Sequence, residues 1–119
     1  MKYLLLMYAN ETVAQEVAAA DYQATAQAWQ SVLQEMKSAG VWLGNNGLCN
    51  VSDATTVRLR DDNALLTDGP FAETHEQLGG YYLIDCADLD EAIAWAKKIP
   101  VAKYGAVEIR PLNQWSQAA

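Results

Sequence analysis

LGGYYLIDCADLDEAIAWAKKIP, from Leu78 to Pro100, holds a strand, a cap, a helix and a stop in that order. Leu78 to Cys86 is apolar, aromatic and of strand length. Its Gly79-Gly80 pair marks a bulge or a close backbone approach. Asp88 and Glu91 have the spacing of an N-cap residue and its N3 partner. Leu89, Ala92, Ile93, Ala96 and Ile99 then fall on one side of a helix, and Pro100 ends it. Tyr104 to Pro111 (YGAVEIRP) alternates Val107 and Ile109 with Glu108 and Arg110, so the unit closes on a half-exposed strand.

A second unit of the same kind opens the chain. Lys2 to Tyr8 (KYLLLMY) is an unbroken apolar run of strand length. From about Val13 to Ala39 the sequence is rich in Ala, Gln and Glu, which predicts one long amphipathic helix. Tyr22, Trp29, Leu33 and Met36 form its apolar stripe. Gly40 suits the position just past the helix end, where the backbone turns left-handed. Val41 to Leu43 reads as a short strand and Gly44 to Gly47 (GNNG) as a turn. Between the two units, Thr55 to Arg60 (TTVRLR) and Ala64 to Thr67 read as a hairpin reversing at Asp61, Asp62 and Asn63. Asp68 to Gln77 is too polar and too broken for regular structure.

The order is β-α-β, hairpin, β-α-β, an α+β fold on the split-βαβ plan with both helices on one sheet face. Two helices leave the other face bare, which predicts a homodimer packed sheet to sheet.

Composition sets the outer bounds. At 119 residues the chain has room for one domain, expected over 1–112, with 113–119 as a C-terminal tail. Trp115 is the exception there, since so large an apolar surface usually packs on something. Hydrophobic residues make up 51% and charged residues 19%, which excludes a disordered or low-complexity chain. A net charge of −7 repels nucleic acid and anionic membrane surfaces. No apolar run approaches the length of a membrane span, and no signal peptide is evident, so a cytoplasmic location is expected. Cys49 and Cys86 fit no metal spacing and are expected to be reduced, structural thiols.

Several of these stretches together resemble a known family. Leu66 to Gly80 (LTDGPFAETHEQLGG) is similar to the signature of the DGPF branch of the YCII-related proteins. The opening KYLLLMY, Ala39-Gly40, ATTVR at Ala54 to Arg58, Gly79 to Ala96, and VEIRPL at Val107 to Leu112 fit the same pattern. The resemblance implies a ferredoxin-like fold that pairs as a dimeric α+β barrel. It assigns no settled activity to this branch, though neighbouring sigma-factor genes hint at regulation. In the wider group it implies acid–base catalysis at a His–Asp pair in a cleft, and a dehydrochlorinase acting on a chlorinated hydroxyquinol resembles the group. The branch usually has Lys where His75 stands here.

The candidate residues follow. His75 is the only histidine and shares its loop with Asp68, Glu73 and Glu76. It reads either as a general acid/base steered by Asp68 or as a solvated loop residue. Asp68, Gly69, Pro70 and Phe71 form a stiff turn in which Phe71, the only phenylalanine, is expected to anchor the loop in apolar surface. Such a turn also supports binding groups. Tyr8, with Gly79, Gly80 and Tyr81, completes the candidate ligand-binding set at a strand end.

Nine of the fifteen acids lie between Arg60 and Lys97, where there is no Lys or Arg, so a neutral or cationic small molecule suits the charge. No metal-ligand spacing and no cofactor motif is present, and no cofactor is expected. Three functions stay open: a homodimeric small-molecule-binding module, a lyase or dehydrochlorinase-type enzyme using His75 and Asp68, and a protein-interaction module presenting the acidic 61–91 region.

Overall fold

A computed structural model describes residues 1–113 and Trp115. Its elements run β1 (Lys2–Ala9), α1 (Glu11–Ala20), α2 (Tyr22–Ser38), β2 (Trp42–Gly47), β3 (Thr55–Arg60), β4 (Asn63–Asp68), β5 (Gln77–Asp85), α3 (Leu89–Lys98) and β6 (Ala106–Pro111). Single turns of 3₁₀ helix lie at Val51–Asp53 and Pro100–Lys103. The main sheet has the order β2-β5-β1-β6, antiparallel throughout, and β3-β4 form a separate two-stranded ribbon. This is the ferredoxin-like arrangement with an inserted hairpin.

Burial explains the layering. Along β1, Tyr3, Leu5, Met7 and Ala9 are buried, while the alternate residues Leu4, Leu6 and Tyr8 are only partly covered. Tyr82 and Ile84 of β5 join the buried set, with Met36 and Val32 of α2 and Ala92 and Ile99 at α3 in the same cluster. The opposite face carries Leu4, Leu6, Tyr8, Tyr81 and Leu83. With extents of 48 × 42 × 18 Å, the molecule has thickness for one sheet and one helical layer.

The helical region departs from one continuous helix. Asp21 takes an extended conformation, ends α1, and caps α2 by accepting the Ala24 N–H at 3.0 Å. Its capping oxygen outweighs the helix preference of the alanines around it. Asn10 caps α1 in the same way through the Val13 N–H at 3.1 Å. The break also moves the stripe. Tyr22 sits in the first turn of α2 and is 76% exposed, whereas Val32 replaces it in the core beside Met36, with Trp29 and Leu33 half-buried.

Gly44 to Gly47 is likewise strand, not turn. β2 runs through it along β5, with an irregularity between Trp42 and Gly44. Asn46 Nδ2 donates to the Tyr81 hydroxyl at 2.9 Å, and Trp42 Nε1 donates to Asn45 Oδ1 at 2.9 Å. As an edge strand bonded on one side only, β2 tolerates its glycines.

The Gly79-Gly80 pair acts in both ways expected of it. Gly79 is the extra residue where the β1–β5 register shifts, between Met7 paired with Gly80 and Tyr8 paired with Leu78. A Cβ on Gly80 would lie 2.7 Å from the Asn46 carbonyl oxygen. Gly105 is tighter still, because a Cβ there would sit 2.1 Å from the Tyr8 carbonyl oxygen. Trp115 is 78% exposed, and the remaining residues of the expected tail beyond Asn113 lie outside the described residues.

Candidate functional site

Two hollows open at the end of the sheet where β1 runs into α1. A wall of Leu48, Asn50 and Gln77 lies between them and lines both. The first hollow, about 290 Å³, lies on the helix side between the sheet, α1 and α2. The second, about 630 Å³, lies on the other side, toward the base of the ribbon.

A hydrogen-bond network holds this corner. The Asn10 side chain donates to the His75 carbonyl oxygen at 3.1 Å while capping α1. Gln77 Oε1 accepts the Glu11 N–H at 3.1 Å, and its Nε2 donates to the Thr74 carbonyl oxygen at 2.5 Å. Glu11 Oε2 accepts the Val51 N–H at 2.8 Å. The start of α1, the 3₁₀ turn and the 74–77 loop are therefore locked together, which positions both hollows. Glu11 and Gln77 do this work, and neither stood out in the sequence. The available signal was Glu11 directly after the strand-ending Asn10, a position where carboxylates favour a helix start.

The candidate residues are spread around the corner. Tyr8, Pro70 and Phe71 line the second hollow, and Gly79 lines the first. Asp68 ends β4, and Gly69, with φ of 104°, closes the ribbon base: its N–H donates to the Ala54 carbonyl at 2.7 Å and its carbonyl accepts Thr56 Oγ1 at 2.9 Å. Gly80 is in the sheet and Tyr81 is on the open face, with its phenol accepting from Asn46. Among the described residues, no hydrogen bond or ion pair joins His75 to Asp68. His75 is tied in through its backbone, and neither side chain lines a hollow.

Two local expectations change. Phe71 is not an anchor sunk in apolar surface. It is 73% exposed, and the Arg58 guanidinium sits 4.7 Å from its ring centroid, so the ring is held by a cation over its face. Cys49 is not a structural thiol either, since it is exposed and lines the second hollow beside Tyr8 and Phe71. Cys86 is buried at the end of β5, and burial pushes its thiol pKa up, with the Glu91 carboxylate adding to the effect. Among the described residues, no group of three or more His, Cys, Asp or Glu side chains is placed to hold a metal ion. Among them too, no helix is long and apolar enough to cross a membrane.

The YCII-related domain model matches residues 1–116. The chain belongs to the YCII-related family. Its Leu66 to Gly80 stretch is consistent with the DGPF branch of that family. Over 114 residues this YCII-related chain is 36% identical to uncharacterized protein R00369 of Rhizobium meliloti (strain 1021), covering 94% of this chain and 92% of that one. Among solved structures it resembles 5-chloro-2-hydroxyhydroquinone dehydrochlorinase (TftG) from Burkholderia phenoliruptrix AC1100, in complex with 2,5-dihydroxybenzoquinone. That match has a TM-score of 0.54 at 14% identity and covers 95% of this chain and 94% of that one. At that identity the likeness establishes the shared fold.

Proposed function

We propose that this YCII-related chain is a homodimeric, cytoplasmic small-molecule-binding module that takes its ligand in the hollow lined by Tyr8, Phe71 and Leu78. The observation that carries this reading is continuity. Tyr8 and Leu78 belong both to that hollow and to the open sheet face with Leu4, Leu6 and Leu83. A second copy packed over the face would roof the hollow and bury apolar surface that this chain leaves partly uncovered. The ribbon carries further uncovered apolar surface, because Val57 and Leu66 are paired on one of its faces and are 60% and 70% exposed.

Among the described residues, Asp53 is the one charged residue lining the hollow, so a neutral or cationic ligand is favoured. The fold neighbour's complex with 2,5-dihydroxybenzoquinone makes a small planar ring a sensible first probe.

Sedimentation across a dilution series, with a titration of hydroquinone, an uncharged planar ring of similar size, tests the reading. The wild type should be a dimer that binds hydroquinone saturably. Leu6→Asp should give monomers with weakened binding, and Ala54→Trp should block binding alone. A monomeric wild type, or binding indifferent to both substitutions, would sink it. An enzyme working through His75 and Asp68 would need the 68–77 loop to bring those side chains together. The imidazole signals of the single histidine, titrated in wild type and in Asp68→Asn, report whether they couple.

A further inference from the structure

The hollow on the helix side plays no part in the function proposed above. It exists because α1 presents small residues inward: Ala14 and Ala18, one turn apart, line it, and no residue of α1 is fully buried. Its apolar walls are Met7 of β1, Trp29 of α2, and Val101 and Tyr104 beyond α3. At about 290 Å³ it is roughly twice the 150 Å³ apolar cavity known to admit benzene. It sits at the small end of the range for ligand pockets.

The polar lining residues are Glu11, Gln15, Asn50 and Gln77, with Glu11 hydrogen-bonded to Gln77 and to Val51 beside Asn50. Gln77 is already engaged at both ends of its amide. Among the described residues, Glu11 Oε2 accepts a hydrogen bond, from Val51 N–H, and Oε1 accepts none. Oε1 therefore remains as an acceptor carrying charge, and among the described residues no Lys or Arg lines the hollow. Trp29 and Tyr104 add aromatic faces, which also favour a cation.

We propose that this hollow binds a small primary amine with an aromatic body, its ammonium directed to Glu11 and its ring to the Trp29 and Tyr104 side. A carboxylate of the same shape would meet Glu11 as a like charge, and an alcohol would forgo the charge-assisted hydrogen bond.

Calorimetric titration with 2-phenylethylamine, 2-phenylethanol and phenylacetate, which share a shape and differ in charge, tests this. The amine should bind about tenfold or more tightly than the alcohol, and phenylacetate least. Glu11→Gln keeps an oxygen for the Val51 N–H, so it should retain the fold while erasing the preference for amine over alcohol. Ala18→Leu, or Ala14→Leu if that variant does not fold, should fill the hollow and abolish binding of all three. The site is independent of the dimer reading, so Leu6→Asp and Ala54→Trp should leave amine binding intact. Absence of amine binding to the wild type, equal binding of the three probes, or an amine preference that survives Glu11→Gln would each overturn the proposal.

Discussion

The four-stranded body and the two-stranded ribbon are built from similar residues and fare very differently. In the body, alternate residues of β1 and β5 disappear under α2 and α3, and Leu5, Met36 and Ile84 have no exposed surface. In the ribbon, every strand residue but Thr56 is exposed, including Val57, Leu59, Leu65 and Leu66. Both carry leucine and valine in strands, so propensity does not separate them. What separates them is whether this chain supplies a covering layer. The body is explained by its own sequence, whereas the ribbon keeps apolar side chains that no layer of this chain covers.

The sharpest way to break that contrast is a matched pair of truncations. Leu5→Ala removes a fully buried side chain and should cost about 2–5 kcal/mol of unfolding free energy. Leu59→Ala, at a position 66% exposed, should stay within about 0.5 kcal/mol in the isolated chain. Urea unfolding at high dilution measures both, and comparable losses would mean that the ribbon shares the core after all. Gly105→Ala comes next. A methyl at 2.1 Å from the Tyr8 carbonyl cannot be accommodated without moving β6 or the end of β1, at a cost of about 1–3 kcal/mol. A melting temperature equal to wild type would show that this corner is looser than its packing implies.

The same contrast accounts for what was legible in the sequence. Lys2–Tyr8, Leu78–Cys86 and the Asp88–Glu91 cap were readable because burial and capping leave local patterns: an apolar run of strand length, and an acid three residues before its partner. Asp88 Oδ1 does accept the Glu91 N–H at 2.9 Å. The break at Asp21 was legible in principle, but a capping oxygen is a single residue against a run of helix formers. Nothing local announced that Gly44–Gly47 would pair, because its partner β5 lies more than thirty residues away. The corner between the hollows was hidden for the same reason. Glu11 meets Val51, and Asn10 meets His75, only once the sheet has closed. In the DGPF stretch Pro70 and Phe71 line a hollow, but the stretch said nothing of the helix-side walls.

A smaller effect concerns alkaline pH and again falls on the body. Burial raises the Tyr82 phenol pKa, and burial with Glu91 nearby raises that of the Cys86 thiol. A folded pKa above the unfolded one means that the native state holds its proton longer. The stabilisation is complete below the unfolded pKa values, near 9.0 for the thiol and 10.0 for the phenol, and is lost as pH rises through the folded values. Denaturation midpoints should therefore fall from about pH 9 upward. Tyr82→Phe and Cys86→Ala should flatten that limb, and an unchanged slope in both would remove these groups as its cause.

The smallest effect probes the ribbon's independence. Its reversal places Asp61 and Asp62 at φ of 51° and 63°, the left-handed values that a two-residue type I′ turn demands. The favoured pair in such a turn is Asn-Gly, because a side chain pays a steric penalty there that glycine escapes. Asp62→Gly relieves that penalty but frees the unfolded chain, so the net gain should be about 0.5 kcal/mol, confined to the ribbon. Hydrogen exchange at the Arg58 and Leu65 amides, a hydrogen-bonded pair of the ribbon, should slow about twofold, while exchange in β1 and β5 and the global urea midpoint stay fixed. If the global midpoint rose together with ribbon protection, the two regions would unfold as one unit. The exposed leucines of β3 and β4 would then have to be explained inside the protomer and not by a second copy.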